Sequence, residues 1–433
     1  MDVSVSKSIL SGKAGAPPSK SFTHRAIILA SLAEGVSAIS NILLSDDTTL
    51  TIDACRKLGA KIELVGDRAI IEGFAGVPKP DPGTAIYLGN SGTSMRLLAS
   101  IAALSKTPVI LDGDRRMRER PIRDLLDALN SAGANARTLD RSDCPPIEVS
   151  SENGYSGGEI EVSGKISSQF LSSLLLVSPF ASKKTVIRVK GGLKSKPYVA
   201  ITMELMRLFG ATVDNDDYSR FDVLPIGSYK PRKYKVEGDF SSASYFFAAA
   251  AVTGSTVAVT GLNPNSVQGD AKFLGILSSM GAVVSRQEDG RITVRGPPQL
   301  RGAGAIDCSD CPDAVQTICA AAACADGTTR ITNIGHLRHK ESDRISDTVE
   351  ELSKFGVEAK AGEDFIEIFG RGTSQLKGAK VNCHKDHRMA MAFAVLGLAV
   401  GDTIIEGAEC VSKSFPDFFD EIEKLGAKIG RKG

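Results

Sequence analysis

Six times along the chain a helix-like segment ends in an apolar residue and Gly, followed by a short β-branched run. The copies read KLGAKIEL around Gly59, LNSAGANAR around Gly133 and RLFGATVD around Gly210, then SSMGAVVS around Gly281, KFGVEAK around Gly356 and KLGAKIG around Gly426. Successive glycines lie 74, 77, 71, 75 and 70 residues apart. A fixed period of this kind means one supersecondary unit used repeatedly. A polar residue at a repeated position is therefore expected to recur in space.

About 13 residues before each Gly a polar cluster opens a helix. The clusters are Ser45-Asp46-Asp47, Arg118 to Pro121, Ser195-Lys196-Pro197, Gln268-Gly269-Asp270, Lys340 to Arg344 and Lys413 to Pro416. Pro121, Pro197 and Pro416 suit a first helical position, where a missing N–H costs nothing. The helices that follow are amphipathic; LLDAL and FFDEIEKL carry the helical spacing. About 40 residues before each Gly lies another helix start, as at Ser19-Lys20-Ser21, Asn90 to Thr93, Ser167-Ser168-Gln169, Ser241-Ser242, Pro312-Asp313 and Asp386-His387-Arg388. These helices, such as SYFFAAAAVTG and MAMAFAVLGLAVG, are apolar nearly all round and so predict burial on every side. A β run follows each, as in TVIRV and DTIIE, and a further strand precedes each, as in AIYLG, IEV, YKV and AKV.

The predicted unit is strand, buried helix, strand, amphipathic helix, strand, strand. The sixth copy lacks its final strand, and the segment Val3 to Leu10 is placed to complete it. Three copies per domain divide the chain near Pro17-Pro18 and Glu237-Gly238-Asp239, giving one domain of residues 19–237 and another of 1–18 plus 238–433. Twelve helix N-termini result, with equivalent ones pointing the same way.

Fifty-two basic residues against 51 acidic ones leave a net charge of +1, so anion binding must be local and a nucleic-acid partner is not expected. MDVSVSKSIL lacks the pattern of a signal peptide, and the longest apolar run, Met389 to Val400, is too short to span a bilayer. Eight cysteines with a lone CxxC at Cys308 and Cys311 suggest reduced thiols in a cytoplasmic protein.

A helix N-terminus presents free N–H groups and positive dipole, and it attracts anions. Capping alone accounts for Ser45-Asp46-Asp47 and Ser241-Ser242. It does not account for Lys20, Arg25, Arg96, Arg120, Lys340, Arg344, Arg388 and Lys413 at the other starts, because cations there oppose the dipole. An anionic ligand would explain them. Arg115, Arg116, Arg118 and Arg123 read as solvated surface. Lys340 and Arg344, four apart, are expected to share a helical face. Glu341 beside them reads equally as an ion-pair member or as a carboxylate held in a positive pocket. Asp313 after Pro312 has the form of an ordinary N-cap. The five histidines show no metal-ligand spacing, and His24 reads as structural. There is no GxGxxG, GxxxxGK[ST] or HExxH. The residues alone give a two-domain protein binding a multiply charged anion between its halves.

The chain also resembles the 5-enolpyruvylshikimate-3-phosphate synthase family. The matching stretches are PPSKSFTHRAIILASLAEG at 17–35, LGNSGTSMR at 88–96, RERPI at 118–122, ISSQFLSSLLL at 166–176 and SKPY at 195–198, followed by PDA at 312–314, KESDRI at 340–345, DHRMAM at 386–391 and KSFPDF at 413–418. They run through nearly the whole chain in the family's order. The resemblance implies a two-domain inside-out α/β barrel of six βαβαββ repeats, three per domain, with buried helices and outer sheets. The N-terminal strand would pack in the C-terminal domain, and the active site would lie in the cleft between the domains. It implies transfer of the enolpyruvyl group of phosphoenolpyruvate to the 5-hydroxyl of shikimate 3-phosphate, with release of phosphate, in a cytoplasmic monomer without metal or organic cofactor. Shikimate 3-phosphate would meet Lys20, Ser21, Arg25, Ser167, Ser168, Gln169, Ser195, Asp313 and Lys340. Phosphoenolpyruvate would meet Lys20, Gly92, Arg120, Gln169, Arg344, Arg388 and Lys413. Arginine forks suit carboxylate and phosphate. Asp313 and Glu341 would move protons, and Lys20 would shuttle one or steady the leaving phosphate.

Two rivals are weighed against this reading. The sister UDP-N-acetylglucosamine enolpyruvyl transferases use a cysteine in the loop that here runs from Leu111 to Pro121, which has none. Repeat-built RNA-binding or RNA-end-processing proteins share related units, but the near-neutral charge and lack of basic-aromatic interleaving count against them.

Overall fold

A computed structural model describes residues 1–140 and 142–432. By internal contacts the chain divides into two compact units, one formed by Pro18–Val236 and the other by Met1–Pro17 with Glu237–Gly433. The Pro18–Val236 unit contains helices α1 (Lys20–Leu32), α2 (Asp46–Lys57), α3 (Gly92–Ala102), α4 (Arg123–Ser131), α5 (Ser168–Val177) and α6 (Lys196–Leu208). The other contains α7 (Phe240–Val252), α8 (Lys272–Ser279), α9 (Val315–Cys324), α10 (Ser346–Lys354), α11 (His387–Val400) and α12 (Phe418–Lys424).

The repeated Gly has one structural cause. Gly59, Gly133, Gly210, Gly281, Gly356 and Gly426 all have φ between +85° and +111°, the left-handed region that side chains avoid. Each lies two residues past the end of an even-numbered helix, and the next N–H reaches back to a carbonyl five residues earlier, as in Ala60 to Cys55 and Ala427 to Ile422. These are Schellman-type stops. The apolar residue before each Gly, from Leu58 to Leu425, is buried under the stop.

All six sheets have four strands in one order. In the second repeat Ala85–Tyr87 runs parallel beside Val109–Asp112, which pairs antiparallel with Ile147–Ser150, itself antiparallel to Asn135–Thr138. The predicted order of elements holds, with one correction at the crossovers between units. Lys233–Lys235, expected to lead the fourth repeat, lies parallel to Val36–Ser40 in the first repeat's sheet. The fourth repeat takes Ser11–Gly15 beside Thr256–Thr260 instead. A strand that pairs before the chain changes unit keeps its backbone bonds within the unit it leaves. The sixth sheet is completed by Asp2–Ser6, inserted antiparallel between Thr403–Glu406 and Lys428–Lys432.

The odd-numbered helices form the cores. Every residue of α7 and α9 is buried, and α7, α9 and α11 pack on one another. Runs such as Ala248–Ala251 and Ala320–Ala323 allow that close approach. In the other unit α3 packs on α5, α5 on α6, and α6 on α1. Several buried hydroxyls there are satisfied locally, as where Ser31 Oγ donates to the Ile27 carbonyl. Among the described residues no helix is long and apolar enough to cross a membrane.

Candidate active site

In the Pro18–Val236 unit, hydrogen bonds tie the N-terminal ends of the helices to one another. Lys20, the first residue of α1, places Nζ 3.1 Å from Asp47 Oδ2 on α2. His24 Nδ1 lies 2.7 Å from Thr51 Oγ1, which reaches Ser94 on α3, so His24 is part of the scaffold. Arg25 is 1% exposed and spans three helices: Nε donates to Thr202 Oγ1 at 2.7 Å, Nη1 to the Ser21 carbonyl at 3.0 Å, and Nη2 to the Tyr198 carbonyl at 3.2 Å and Ser172 Oγ at 3.4 Å. None of these partners is a carboxylate. Burial accordingly pushes Arg25 down to about 10, and it still carries its charge at neutral pH. Ser195, in left-handed backbone at φ 58°, opens α6 close by in sequence to Tyr198.

The start of α3 is shaped around a missing side chain. A Cβ at Gly92 would stand 2.3 Å from Arg120 Nη2 and 2.4 Å from Arg96 Nη1. Arg120 is buried, and its Nη1 donates to the Asn90 carbonyl at 3.2 Å and to Asn90 Oδ1 at 3.0 Å. Gln169, in the first turn of α5, donates from Nε2 to Thr93 Oγ1 at 2.9 Å, and the Ser167 hydroxyl caps that helix through Gln169 N. Ser168 is buried beside it. Arg120, Gly92, Gln169 and the serines of α5 thus belong to one connected patch.

In the other unit the organising group is Arg344, 1% exposed and bonded to three carboxylates. Nε donates to Asp386 Oδ2 at 2.7 Å, Nη1 to Asp313 Oδ1 at 3.1 Å, and Nη2 to Glu341 Oε2 at 2.9 Å. Burial opposes its charge, but Asp386, Glu341 and Asp313 outweigh burial and hold it above its ordinary value. Arg388 Nη2 lies 2.8 Å from Asp313 Oδ2, and Nη1 lies 3.4 Å from the Tyr245 hydroxyl. Asp386 also caps α11 by accepting from Arg388 N at 2.9 Å. Lys413 is buried at the end of a short 3-10 segment, and Lys340 is half-buried next to Glu341.

Several local expectations need correction. Arg120, Lys340, Arg344 and Lys413 do not start helices: α4, α10 and α12 begin at Arg123, Ser346 and Phe418. Arg120 is extended, at φ −99° and ψ 116°, as the following Pro121 requires. The helix dipole therefore does not oppose these cations, and Lys340 and Arg344 share no helical face. Asp313 caps nothing; it sits in the turn Pro312–Ala314 and accepts from two arginines. Asp47, expected to cap α2, instead pairs with Lys20, and Ser45 does the capping. Ser241 is likewise not the cap expected of it: Asp239 caps α7 and the Ser241 hydroxyl bonds Asp270. Asp386, placed at a helix start by the sequence, has the form of a cap, which it also is, and nothing in the sequence marks its bond to Arg344.

A family model described as EPSP synthase (3-phosphoshikimate 1-carboxyvinyltransferase) matches residues 6–422. The chain belongs to the EPSP synthase family. Every candidate residue from Lys20 to Lys413 lies within the matched span. The 3-phosphoshikimate 1-carboxyvinyltransferase of Methanosphaerula palustris is 46% identical over 95% of this chain and 96% of its own length. The enzyme of that name from Methanospirillum hungatei is 43% identical over 95% of each chain. Among solved structures, an EPSP synthase from Acinetobacter baumannii superposes with a TM-score of 0.82 at 28% identity, covering 99% of this chain and all of the other. Membership of the EPSP synthase family makes the chain an enolpyruvyl transferase.

Proposed function

We propose that the chain transfers the enolpyruvyl group of phosphoenolpyruvate to the 5-hydroxyl of shikimate 3-phosphate, a step of aromatic amino-acid biosynthesis, and that both units supply groups to the one reaction. The observation that carries the residue assignment is Arg344, whose fork is fixed by Asp313, Glu341 and Asp386. A guanidinium so held meets a carboxylate or phosphate without reorganising.

Arg25, with Lys20, Ser21, Ser167, Ser168, Gln169, Ser195 and Lys340, binds shikimate 3-phosphate; a buried cation bonded only to hydroxyls and carbonyls gains from an anionic ligand. Arg120 beside Gly92, with Lys20, Gln169, Arg344, Arg388 and Lys413, binds phosphoenolpyruvate. Asp313 takes the proton of the 5-hydroxyl as its oxygen adds to C2, while the methylene carbon gains a proton and becomes methyl. Glu341 serves the proton moves at that carbon. In the second half the methyl group loses a proton, the C2–O bond to phosphate breaks, and inorganic phosphate leaves with Lys20 steadying its charge. The assay is phosphate release. It should require both substrates together; release from phosphoenolpyruvate alone at the same rate refutes the transfer.

A further inference from the structure

Asp270 is a buried carboxyl group that the transfer mechanism does not use. It lies in the 3-10 turn Gly269–Ala271 ahead of α8, and this turn packs against the turn Pro312–Ala314 that carries Asp313. It is 5% exposed. Its Oδ2 bonds the Ser241 hydroxyl, and no protein donor reaches its enclosed Oδ1. Asp313 and Asp386 are each bonded to arginine; Asp270 has no such cation partner. An ionised carboxylate buried without a cation costs several kcal/mol, and such groups take up a proton instead. Its neighbours strengthen the case. Asp239 at the start of α7 and Asp313 are both acidic, and Arg388 on α11 is shared with Asp313. The buried Cys311 thiol also feels Asp270, while Lys272, the first residue of α8, pairs with Asp310 at 3.0 Å.

We propose that Asp270 is a positioning residue of the transfer reaction, a carboxyl group that keeps its proton in the working enzyme and so leaves Arg388 to Asp313. The role rests on the reading of Asp313 as the base given above. Burial, then the Asp313 carboxylate, push Asp270 up to about 7, with Arg388 and the Ser241 hydroxyl acting the other way. Two bound anionic substrates raise it further, since like charge disfavours ionisation. Were Asp270 ionised, a second carboxylate would compete for Arg388 and would push Asp313 toward protonation, and a protonated Asp313 is no base.

The test compares wild type with Asp270→Asn, a neutral variant of the same shape, by pH profile and by infrared spectroscopy. Near pH 6 the variant should retain kcat within about threefold, because it resembles the protonated group. Wild-type kcat/KM should fall on an alkaline limb near pH 7 that the variant lacks, giving the variant an advantage on the order of tenfold near pH 8.5. A structural role alone would not move that limb. In the free protein, the wild-type minus variant infrared difference should show a protonated-carboxyl band that fades near pH 7. Ser241→Ala, removing a hydrogen bond that favours ionisation, should move the midpoint upward. Superimposable pH profiles, or no protonated-carboxyl band at pH 6, overturn the proposal. So does loss of more than about a hundredfold in a folded Asp270→Asn at every pH, which would mean the charge is needed. The infrared readout does not depend on the role of Asp313. Full activity in Asp313→Asn with the band intact would sink the assignment of the base and leave the protonation of Asp270 standing.

Discussion

Gly92→Ala probes the proposed anion pocket at the start of α3 with a single carbon. The backbone there is helical, so alanine brings no strain and by propensity stabilises the helix by up to about 1 kcal/mol. The added Cβ, however, would stand 2.3 Å from Arg120 Nη2, 2.7 Å from Arg120 Cζ and 2.4 Å from Arg96 Nη1. Ordinary contact begins at 3.4 Å, so the guanidinium groups must retreat by about an ångström. That retreat works against the bonds from Arg120 Nη1 to Asn90 at 3.0 and 3.2 Å. One charge-assisted hydrogen bond to a ligand is worth about 1.5–3 kcal/mol, which is about 10- to 150-fold in affinity. The KM for phosphoenolpyruvate should rise by that factor. The interaction is made in the ground state as well as the transition state, so kcat should change by less than about fivefold. The KM for shikimate 3-phosphate should stay within about threefold, and the melting temperature should not fall. Steady-state phosphate release with each substrate varied in turn gives all three kinetic numbers. The two changes should be non-additive: in an Arg120→Ala background, Gly92→Ala should add little. An unchanged KM for phosphoenolpyruvate in the folded single variant, or fully additive effects, would refute it.

The other expectations are more direct. Asp313→Ala and Glu341→Gln should each lower kcat by about two to four powers of ten with substrate binding largely kept, measured by titration and turnover. In deuterium oxide the enolpyruvyl methylene of the product should gain label; product free of deuterium after full conversion would falsify addition–elimination. Activity should survive replacement of Cys55 and Cys144 by Ser; Cys55 is buried with its thiol pushed up to about 12, so it offers no thiolate at neutral pH. His384 Nε2 lies 3.0 Å from Glu351 Oε1, a bond that raises the imidazole above its ordinary 6.5. Its stabilisation is complete below pH 6.5 and is lost as pH rises through the raised value. Melting temperature should therefore fall more between pH 6.5 and 8.5 in wild type than in His384→Gln.

Much of this was legible in the chain because the repeat announces itself through glycine. A left-handed helix stop accepts almost nothing else, so six such stops leave six glycines at a regular spacing. The buried helices were legible for a similar reason, since a segment such as FFAAAAV has no polar face to offer water. Two things were not legible. Which strand pairs with which depends on backbone bonds at the crossovers, and Lys233–Lys235 carries no side-chain signal that it belongs beside Val36–Ser40. The carboxylates were obscured by ambiguity of form. Asp47, Asp313 and Asp386 all stand where a helix cap would stand, and only their distances to Lys20, Arg344 and Arg388 separate the two roles.

Those distances also show why the two sets of cations need not do the same work. Arg344 and Arg388 are met by Asp313, Glu341 and Asp386, three carboxylates against two guanidinium groups. Such a cluster is rigid and nearly neutral; on the proposed reading it holds acids and bases at fixed positions and meets phosphoenolpyruvate through directed hydrogen bonds more than through net charge. Arg25 is the opposite case, a buried charge offset only by hydroxyl and carbonyl dipoles, and it stays costly until an anion arrives. On the proposed reading the Pro18–Val236 unit therefore supplies most of the affinity for shikimate 3-phosphate, and the other unit supplies the proton chemistry. Substitutions should separate along that line. Arg25→Ala should raise KM for shikimate 3-phosphate with a lesser effect on kcat, whereas Asp313→Ala should do the reverse. If Arg25→Ala instead lowered kcat at saturation as severely as Asp313→Ala, the division would fail, because a residue used only for binding leaves saturated turnover largely intact.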